Sequence, residues 1–338
     1  MIKGVRAARI VHCQHHNRFS TNALLVNNTA LVSQRSIQSS ILDWNRKNSE
    51  ERTRDLKQMV DKASKNECNA FVHVFSDVAE TGADAELENC GQNILRDVPF
   101  ALKDAFTTKN LAPTTMGSRM LQNFVSSYDS FVYDALSNKC QAKCVGKTNM
   151  DEFAMGSGTT YSMFGATKNP WNLDYVSGGS SGGSAASVAE GSSLFGIGTD
   201  TGGSVRQPAS YCGIVGFKPS YGRISRFGMI SFASSLDTMG IFTRHVYDSA
   251  LVYDELVKNS HPQSENTFPN DLSSLYTACD QKPIAEQLDA SNPTADCKSL
   301  RVGIPVEYLL EELQPEVMQM WQSAIDKLKQ AGATVEYV

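Results

Sequence analysis

The chain has no run of about eighteen apolar residues, so it contains no segment of the length needed to cross a bilayer as a helix. It also has no excess of positive charge, because 31 Lys and Arg residues stand against 36 Asp and Glu, a net charge of −5. A surface built to hold nucleic acid needs clustered positive charge. We therefore expect neither a membrane nor a nucleic acid as a direct partner of this chain.

Histidine and closely paired cysteines are also scarce. Three of the six histidines lie within the first sixteen residues, and His73, His245 and His261 are far apart in the sequence. A mechanism that uses histidine as its base therefore has few candidates. The eight cysteines are scattered, and the nearest two, Cys140 and Cys144, have no second pair or histidine close by. This spacing does not fit the common zinc patterns and predicts free, mostly buried thiols and no metal site.

Acidic residues are absent before Asp43, and the same stretch holds five basic residues: Lys3, Arg6, Arg9, Arg18 and Arg35. Serine, threonine, asparagine and glutamine are frequent there. An acid-free N-terminus that carries arginine is typical of a mitochondrial presequence. We therefore predict a presequence over residues 1–40 and a location in the mitochondrial matrix. A disordered basic tail is the alternative.

Hydrophobic periodicity divides the rest of the chain. Apolar residues at helical spacing predict two helices over residues 37–65, and we assign residues 41–95 to an N-terminal helical region. Over residues 96–338, short apolar strands such as Val98–Leu102 and Leu194–Ile197 alternate with helices. This alternation predicts a large α/β domain.

The last part of the sequence predicts a βαβ unit. Leu300–Ile304 has the pattern of a strand, Glu316–Gln330 is amphipathic with helical spacing, and Ala333–Val338 begins a second strand. That strand has only begun where the sequence stops. We therefore expect the C-terminal part of the domain to be truncated.

The stretch Ser177–Ser204 is the most informative, because it holds nine glycines and eight serines. Dense glycine in an ordered chain marks backbone that approaches something closely. Two apolar patches, Ala185–Ala189 and Leu194–Ile197, predict a buried helix and a buried strand, which a flexible linker would lack. Two tight loops, Ser177–Gly183 and Thr199–Ser204, flank this unit. Serine hydroxyls beside bare N–H groups are typical of a nucleophile with an oxyanion hole.

Nucleotide-binding motifs fit poorly. Gly146–Thr148 resembles the end of a phosphate-binding loop, but the required upstream glycine is replaced by Gln141. Gly196 and Gly198 would need a third glycine where the chain has Thr201. We therefore expect no nucleotide site in this chain.

The tract Gly178–Gly182 matches G-x-S-x-G, the nucleophile elbow of α/β-hydrolases. That motif needs a strand before it and a catalytic histidine after it. Asp174–Val176 makes a poor strand, and only His245 and His261 follow. The elbow is therefore a disfavoured alternative.

The second loop, Thr199–Ser204, supplies the better nucleophile. Ser204 is predicted to open a helix just after the turn. The N–H groups of Thr201, Gly202 and Gly203 would then face one concavity at the helix N-terminus, where developing negative charge is stabilised. The sequence thus predicts Ser204 as nucleophile and these three residues as oxyanion hole.

A serine nucleophile needs a base, and a neutral lysine can serve where burial removes its charge. Lys103 is the candidate, since it follows an apolar strand. Deprotonating a lysine near neutral pH costs roughly 3–5 kcal/mol of solvation, so the site must be deep and dry. Either Ser180 or Ser181 could carry the proton between Lys103 and Ser204. A surface lysine after a strand is the alternative.

Asp200, Arg206 and Asp237 are charged residues near the second loop. Charged groups around a buried loop usually pair to hold it. We therefore interpret all three as structural and not as catalytic.

At these positions the sequence resembles the amidase signature family. The matching segments include PFALKDAF at 99–106, VSGGSSGGSAASVA at 176–189 and GIGTDTGGS at 196–204, and the fit runs over roughly residues 97–245. The 24-residue separation of Ser180 and Ser204 is that of the family's Ser–Ser–Lys triad. The resemblance implies Ser204 as acyl-enzyme nucleophile, Ser180 as a bridging serine preceded by a cis peptide, and Lys103 as base. It also implies the oxyanion hole at Thr201, Gly202 and Gly203.

The tracts at 146–171 and 218–237 resemble, more specifically, family members that hydrolyse glutamine within a tRNA-dependent amidotransferase. This implies that Met155 lines the glutamine pocket. It also implies two partners, a B subunit that activates glutamyl-tRNA(Gln) with ATP and Mg²⁺ and receives ammonia, and a small third subunit. The chain itself would need no cofactor and would meet tRNA only indirectly. Family members continue further and hold the glutamine α-amino and α-carboxylate groups with that last portion.

We predict an α/β fold, a large mixed β-sheet sandwiched between helices in three layers, with a glutaminase half-reaction. Two other functions stay open. A stand-alone amidase would act on another amide without a partner. A catalytically silent scaffold subunit would explain the missing C-terminal region.

Overall fold

The computed structural model describes residues 39–79, 93–259, 283–287, 297–310 and 312–338. The chain divides into two compact units, a larger one over Ile37–Asp289 and a smaller one that includes Ala290–Val338. The predicted presequence at 1–40 lies almost entirely outside the described residues. The domain boundaries placed after residues 40 and 95 stay predictions.

The larger unit begins with the two predicted helices, α1 (Ser40–Asn45) and α2 (Ser49–Lys65). Asn48 caps α2, because its side chain accepts from the Glu51 N–H while the Glu51 carboxylate accepts from the Asn48 N–H. Such a reciprocal cap satisfies N–H groups that the first turn leaves without partners. Both helices bury apolar side chains in the main core, among them Ile41, Trp44, Leu56 and Val60.

The later helices of this unit are, in chain order, α3 (Phe131–Tyr133), α4 (Gly182–Glu190), α5 (Arg206–Cys212), α6 (Val246–Asn259) and α7 (Ile284–Gln287). A π-helical segment, Asp134–Lys139, continues α3. Short 3₁₀ turns lie at Ser76–Ala79, Arg119–Leu121 and Glu152–Ala154.

The strands of the larger unit are β1 (Phe71–Val74), β2 (Pro99–Lys103), β3 (Lys143–Thr148), β4 (Lys168–Asn169), β5 (Asn172–Val176), β6 (Phe195–Asp200), β7 (Val215–Phe217) and β8 (Thr238–Thr243). Six of them form one sheet in the order β1-β3-β2-β6-β8-β7. The central strands β3, β2 and β6 run parallel, whereas β1, β8 and β7 pair antiparallel with their neighbours. The sheet is therefore mixed.

Helices cover both faces of this sheet. Phe195, Ile197 and Ile241 belong to the main core, which also holds side chains of α1, α2 and α6. Phe242 belongs to a second cluster with residues of α4 and α5. Since successive strand side chains point to opposite faces, Ile241 and Phe242 lie on opposite sides of the sheet. The predicted three-layer α/β fold is confirmed.

Two local predictions were wrong. Asp174–Val176, interpreted as a poor strand, belongs to β5 (Asn172–Val176), which pairs antiparallel with β4. All of its residues are exposed, so no apolar alternation marked it in the sequence. The helix expected to open at Ser204 begins at Arg206, with Pro208 in its first turn. Proline is tolerated there because first-turn N–H groups have no partner in the helix.

The smaller unit contains the predicted βαβ arrangement. Strand β9 (Arg301–Ile304) pairs in parallel with β10 (Thr334–Tyr337), and α8 (Pro315–Gln330) connects them. Pro315 occupies the first turn of α8, as expected for a residue whose missing N–H costs nothing there. Short 3₁₀ turns lie at Cys297–Ser299 and Val306–Tyr308.

Among the described residues, no helix combines the length and the apolar character needed to cross a membrane. Four cysteines of the same residues, Cys68, Cys140, Cys144 and Cys212, are buried and free, as predicted. Burial raises the pKa of each of these thiols to about 12. They are therefore protonated and poorly nucleophilic at neutral pH.

Candidate active site

Lys103 is the last residue of β2, and its side chain is completely buried. Its Nζ lies 2.8 Å from the Oγ of Ser180, 2.8 Å from the Oγ of Ser181 and 2.7 Å from the Oγ1 of Thr199. The strand thus delivers the amine into a ring of three hydroxyl groups. This placement rules out a surface lysine.

Burial lowers the pKa of Lys103 from 10.5 to about 7, because the ammonium loses its hydration inside the protein. The negative charges of Asp151, Asp200 and Asp237 act in the opposite direction and limit the shift. A pKa near 7 leaves much of the lysine neutral at physiological pH. A neutral amine can accept a proton, which is what the predicted base requires.

The hydrogen bonds of the three hydroxyls indicate which one can pass a proton to Lys103. Ser181 Oγ donates to the backbone carbonyl of Thr199 at 3.2 Å, so its proton is already used. A neutral lysine has two N–H donors and one lone pair. Ser181 accepts one N–H, and the lone pair is available to the hydroxyl of Ser180 or Thr199. Of the two predicted relays, the geometry favours Ser180.

Ser180 lies in the turn between β5 and α4 and is completely buried. The Gly179–Ser180 peptide bond is cis, as the family resemblance implies. The backbone carbonyl of Ser180 accepts a hydrogen bond from the Asp151 N–H at 3.2 Å. The position of the serine is therefore set by backbone contacts as well as by Lys103.

Ser204 lies two residues before α5 and is partly exposed. Its carbonyl accepts from the Ser181 N–H at 3.3 Å, which brings the two predicted loops together. Within the described part of the chain, its Oγ forms no hydrogen bond. A partly exposed serine on a loop that contacts Ser181 suits a nucleophile, since catalytic hydrogen bonds often tighten only when substrate binds.

The structure differs from the predicted oxyanion hole at Gly203. The Gly203 N–H donates to the Asp200 carboxylate at 2.8 Å, so it is not available to an oxyanion in this arrangement. Gly202 and Gly203 border open space, because a Cβ built on either meets no atom within 4 Å. Gly203 also has a φ of +137°, which favours glycine. Thr201 and Gly202 remain as oxyanion-donor candidates beside an opening that a substrate can enter.

Asp200 holds the loop that carries Ser204. Its carboxylate accepts from the N–H groups of Gly203 and Val205 and pairs with the Arg206 guanidinium, with Nη2–Oδ1 at 2.9 Å and Nε–Oδ2 at 3.1 Å. Burial raises the pKa of Asp200, but Arg206 and the backbone donors outweigh it and hold the pKa below its usual value. These contacts fit the predicted structural role of Asp200 and Arg206.

Asp237 anchors the start of the same loop. Its carboxylate accepts from the hydroxyl of Thr201 at 2.5 Å and from the N–H groups of Phe232 and Ala233. Burial raises its pKa, but the Thr201 hydroxyl and these N–H donors lower it below the usual value. Asp237 therefore stays ionised and holds Thr201 in place.

The sequence of this chain also matches a known protein family. The model of the Amidase family matches residues 54–338. The chain belongs to the amidase family. The buried lysine and its serine loop lie within the matched residues.

Two curated relatives show the similarity of this amidase in detail. The A subunit of glutamyl-tRNA(Gln) amidotransferase from Listeria welshimeri is 46% identical over 262 residues, which are 78% of this chain and 50% of the relative. The protein of the same name from Halalkalibacterium halodurans is 46% identical over 257 residues, 75% of this chain and 49% of the relative. The chain spans about half the length of the curated relatives it matches.

Solved structures show the same fold. The A subunit of glutamyl-tRNA(Gln) amidotransferase from Thermotoga maritima has a TM-score of 0.68 at 33% identity, and the match covers 90% of this chain and 63% of that chain. The peptide amidase from Stenotrophomonas maltophilia has a TM-score of 0.72 at 25% identity, covering 88% and 60%. The fold of this chain is therefore shared with a peptide amidase as well as with an amidotransferase.

Asp151 is a site residue that the sequence analysis missed. Its buried carboxylate accepts from three backbone N–H groups, those of Thr159 at 2.8 Å, Thr160 at 3.0 Å and Tyr161 at 3.1 Å. Its own N–H contacts the carbonyl of Ser180. It thus connects the loop at 151–161 to the serine loop. The only signal was an aspartate in a Gly- and Ser-rich tract, where Asp commonly anchors turns.

Met155 lies on this loop, just after the turn Glu152–Ala154, with 57% of its surface exposed. The Asp151 N–H contact connects this loop to Ser180. Its predicted place in a glutamine pocket stays a prediction.

The second buried lysine of this amidase, Lys147, is fully paired. Its Nζ lies 3.0 Å from Asp104 Oδ1 and donates to the carbonyl of Phe106 and the hydroxyl of Thr114. The Gly146–Thr148 tract lies within β3, so it does not form the turn of a phosphate-binding loop. In the part of the chain that the structure describes, no group of His, Cys, Asp and Glu could hold a metal ion.

Arg206→Ala should lower stability and activity together. The Asp200 carboxylate is completely buried and would lose its charged partner, although 54% of the Arg206 side chain is exposed and solvent weakens the pair. We expect a loss on the order of 1–2 kcal/mol in the free energy of unfolding at neutral pH, fading as acid protonates Asp200. Thermal melts and turnover of the same preparation test this. Lost activity at an unchanged melting temperature would instead place Arg206 in direct contact with substrate.

Proposed function

We propose that this chain is the amidase part of a tRNA-dependent amidotransferase. It hydrolyses glutamine to glutamate and ammonia, and the ammonia passes to a partner that converts glutamyl-tRNA(Gln) to glutaminyl-tRNA(Gln). The names of the relatives from Listeria welshimeri and Thermotoga maritima support this assignment. The observation that carries the chemistry is the completely buried Lys103, whose Nζ lies 2.8 Å from the Ser180 hydroxyl.

The proposed reaction begins with proton transfer. Neutral Lys103 draws the proton of Ser180, and Ser180 takes the proton of Ser204. Ser204 Oγ then attacks the side-chain amide carbon of glutamine, and negative charge develops on the amide oxygen. Donors at Thr201 and Gly202 stabilise that charge.

The tetrahedral intermediate then collapses. The C–N bond breaks, the proton returns through Ser180 to the nitrogen, and ammonia leaves. A water molecule loses its proton by the same route and attacks the glutamyl ester on Ser204. Glutamate leaves, and Ser204 regains its proton. No step consumes a cofactor in this chain.

The partner carries the remaining chemistry in this proposal. A B subunit binds glutamyl-tRNA(Gln), activates it with ATP and Mg²⁺ and receives the ammonia, and a small third subunit completes the assembly. The net charge of −5 supports this division, because a chain that held tRNA itself would need a basic surface.

The test is a glutaminase assay of the chain alone and co-expressed with its partner subunits. We expect glutamate and ammonia in equal amounts, and ammonia incorporation into glutamyl-tRNA(Gln) only in the complex. The matched control is Ser210→Ala, which removes an exposed serine of α5. Hydrolysis of other amides with none of glutamine, in either preparation, would contradict the proposal.

A stand-alone amidase is the second candidate. Its support is the similarity to the peptide amidase of Stenotrophomonas maltophilia, at a TM-score of 0.72. A lysine–serine relay serves any amide, so the substrate pocket decides between the two functions. A panel of peptide and fatty acyl amides in the same assay separates them.

We further propose that residues 1–40 direct the chain to the mitochondrial matrix. A fluorescent reporter fused to these residues should be imported, because basic residues without acidic neighbours drive import. The control fusion carries Arg6→Gln, Arg9→Gln and Arg18→Gln and should stay in the cytosol. A parent fusion that stays in the cytosol would refute the localisation and leave the enzymatic proposal intact.

A further inference from the structure

One residue, Gln207, connects three loops of the site. Its Oε1 accepts from the Gly179 N–H at 2.9 Å, and its Nε2 donates to the carbonyl of Ser157 at 3.0 Å. Its backbone N–H donates to the carbonyl of Gly203 at 2.8 Å. The three contacted residues belong to the loop before Ser180, the loop at 151–161 and the loop that carries the nucleophile.

The two side-chain contacts need an amide. A carboxamide has an acceptor and a donor at the same end of the side chain. Glutamate would accept from Gly179 but could not donate to Ser157, and lysine or arginine could donate but not accept. Gln207 therefore suits this position by its hydrogen-bond donor and acceptor and not by its size alone.

The loops around this amide are tightly packed. A Cβ on Gly178 would lie 2.7 Å from Gln207 Oε1 and 2.7 Å from the Cα of Pro208. A Cβ on Gly179 would lie 2.3 Å from Asp151 Oδ2 and 2.7 Å from the Thr159 N. Because the backbone before Ser180 is packed on both sides, a shift of the amide would be transmitted to Ser180.

We propose that Gln207 is a positioning residue of the amidase reaction, which holds the Gly179 N–H and thereby keeps the Ser180 hydroxyl between Lys103 and Ser204. It acts through Ser180 and contacts neither Lys103 nor the reacting atoms. The inference rests on the proposed function only in taking Ser204 as the acylated residue.

The test uses a serine-directed fluorophosphonate in place of a substrate. Ser204 Oγ attacks phosphorus, the P–O bond forms, the P–F bond breaks and fluoride leaves, while the serine proton passes through Ser180 to Lys103. Labelling at Ser204, located by mass spectrometry, therefore reports on the relay without a glutamine pocket. The variants are Gln207→Met, which removes both contacts at similar size, and Gln207→Glu, which keeps the acceptor for Gly179. The control is Gln122→Met, at an exposed glutamine.

We expect Gln207→Met to lower the labelling rate about 10- to 100-fold, because small displacements of catalytic groups have effects of this size. Gln207→Glu should keep most of the parent rate, since the contact to Gly179 survives. The pH midpoint of labelling should stay near that of the parent in both variants, because Lys103 itself is unchanged.

Two results would overturn the inference. The first is labelling of Gln207→Met at the parent rate. The second is equal loss in both variants in step with their melting temperatures, which would indicate a purely structural contact. A parent that is labelled at Ser204 but hydrolyses no glutamine would refute the proposed function and would leave the comparison of the Gln207 variants valid.

Discussion

Lys103→Arg should lower the rate of Ser204 acylation by ~10²–10⁴-fold, the range expected when a general base is lost. Arginine keeps the positive charge and an approximate length, but its guanidinium does not release a proton in proteins. Its bulk must also enter a completely buried ring of hydroxyls built for a single amine. Lys103→Met, which removes the charge and keeps the stem, should be nearly as slow. The measurement is single-turnover acylation with each purified variant.

The pH dependence of the acylation rate of the parent protein shows whether Lys103 acts as a base or only as a positive charge. The pKa of Lys103 is lowered by burial to about 7, so the neutral, proton-accepting form increases as the pH rises through that value. Acylation should therefore rise about tenfold per pH unit below the midpoint and level off above it. Neither variant should show this rise. A parent rate independent of pH between 6 and 9, or rapid acylation by Lys103→Arg, would leave the lysine a purely electrostatic role.

Local sequence patterns, such as apolar runs and dense glycine and serine, predict part of the site. Apolar residues before Lys103 predict a buried strand, and a buried strand end fixes where the amine must lie. Dense glycine and serine in Ser177–Ser204 predict tight loops, because few other residues allow such close backbone approach. Lys103, Ser180 and Ser181 accordingly come together as expected. The same reasoning predicts the α/β fold and the C-terminal βαβ unit.

The parts that it does not predict depend on contacts across the fold. Whether Asp200 binds the Gly203 N–H depends on a side-chain rotamer, and that contact removes one predicted oxyanion donor. Asp151 contacts Ser180, which is 29 positions away in the sequence. Gln207 contacts Gly179, which is 28 positions away. No periodicity encodes such pairings, because each polar side chain has many possible partners until the backbone fixes their distances.

Ser204→Ala should reduce acylation and amide hydrolysis roughly 10⁴–10⁶-fold, since removal of a nucleophile leaves only what binding and oxyanion donors provide. The fold should survive, because the Ser204 hydroxyl is partly exposed and forms no hydrogen bond within the described residues. Its backbone contact with the Ser181 N–H does not depend on the side chain. The measurements are turnover, covalent labelling detected by mass spectrometry, and the melting temperature of the same sample.

The matched comparison is Ser180→Ala, which removes the relay and leaves the nucleophile. That variant should retain slow acylation, with water replacing the hydroxyl between Lys103 and Ser204, whereas Ser204→Ala should show no adduct at any time. If an adduct formed on Ser180 in the Ser204→Ala variant at close to the parent rate, the two serines would have to exchange roles. Burial argues against that exchange, because Ser180 is completely enclosed and Ser204 borders the open space beside Gly202 and Gly203. A substrate carbonyl can therefore reach Ser204 without unfolding of the loop, whereas it cannot reach Ser180.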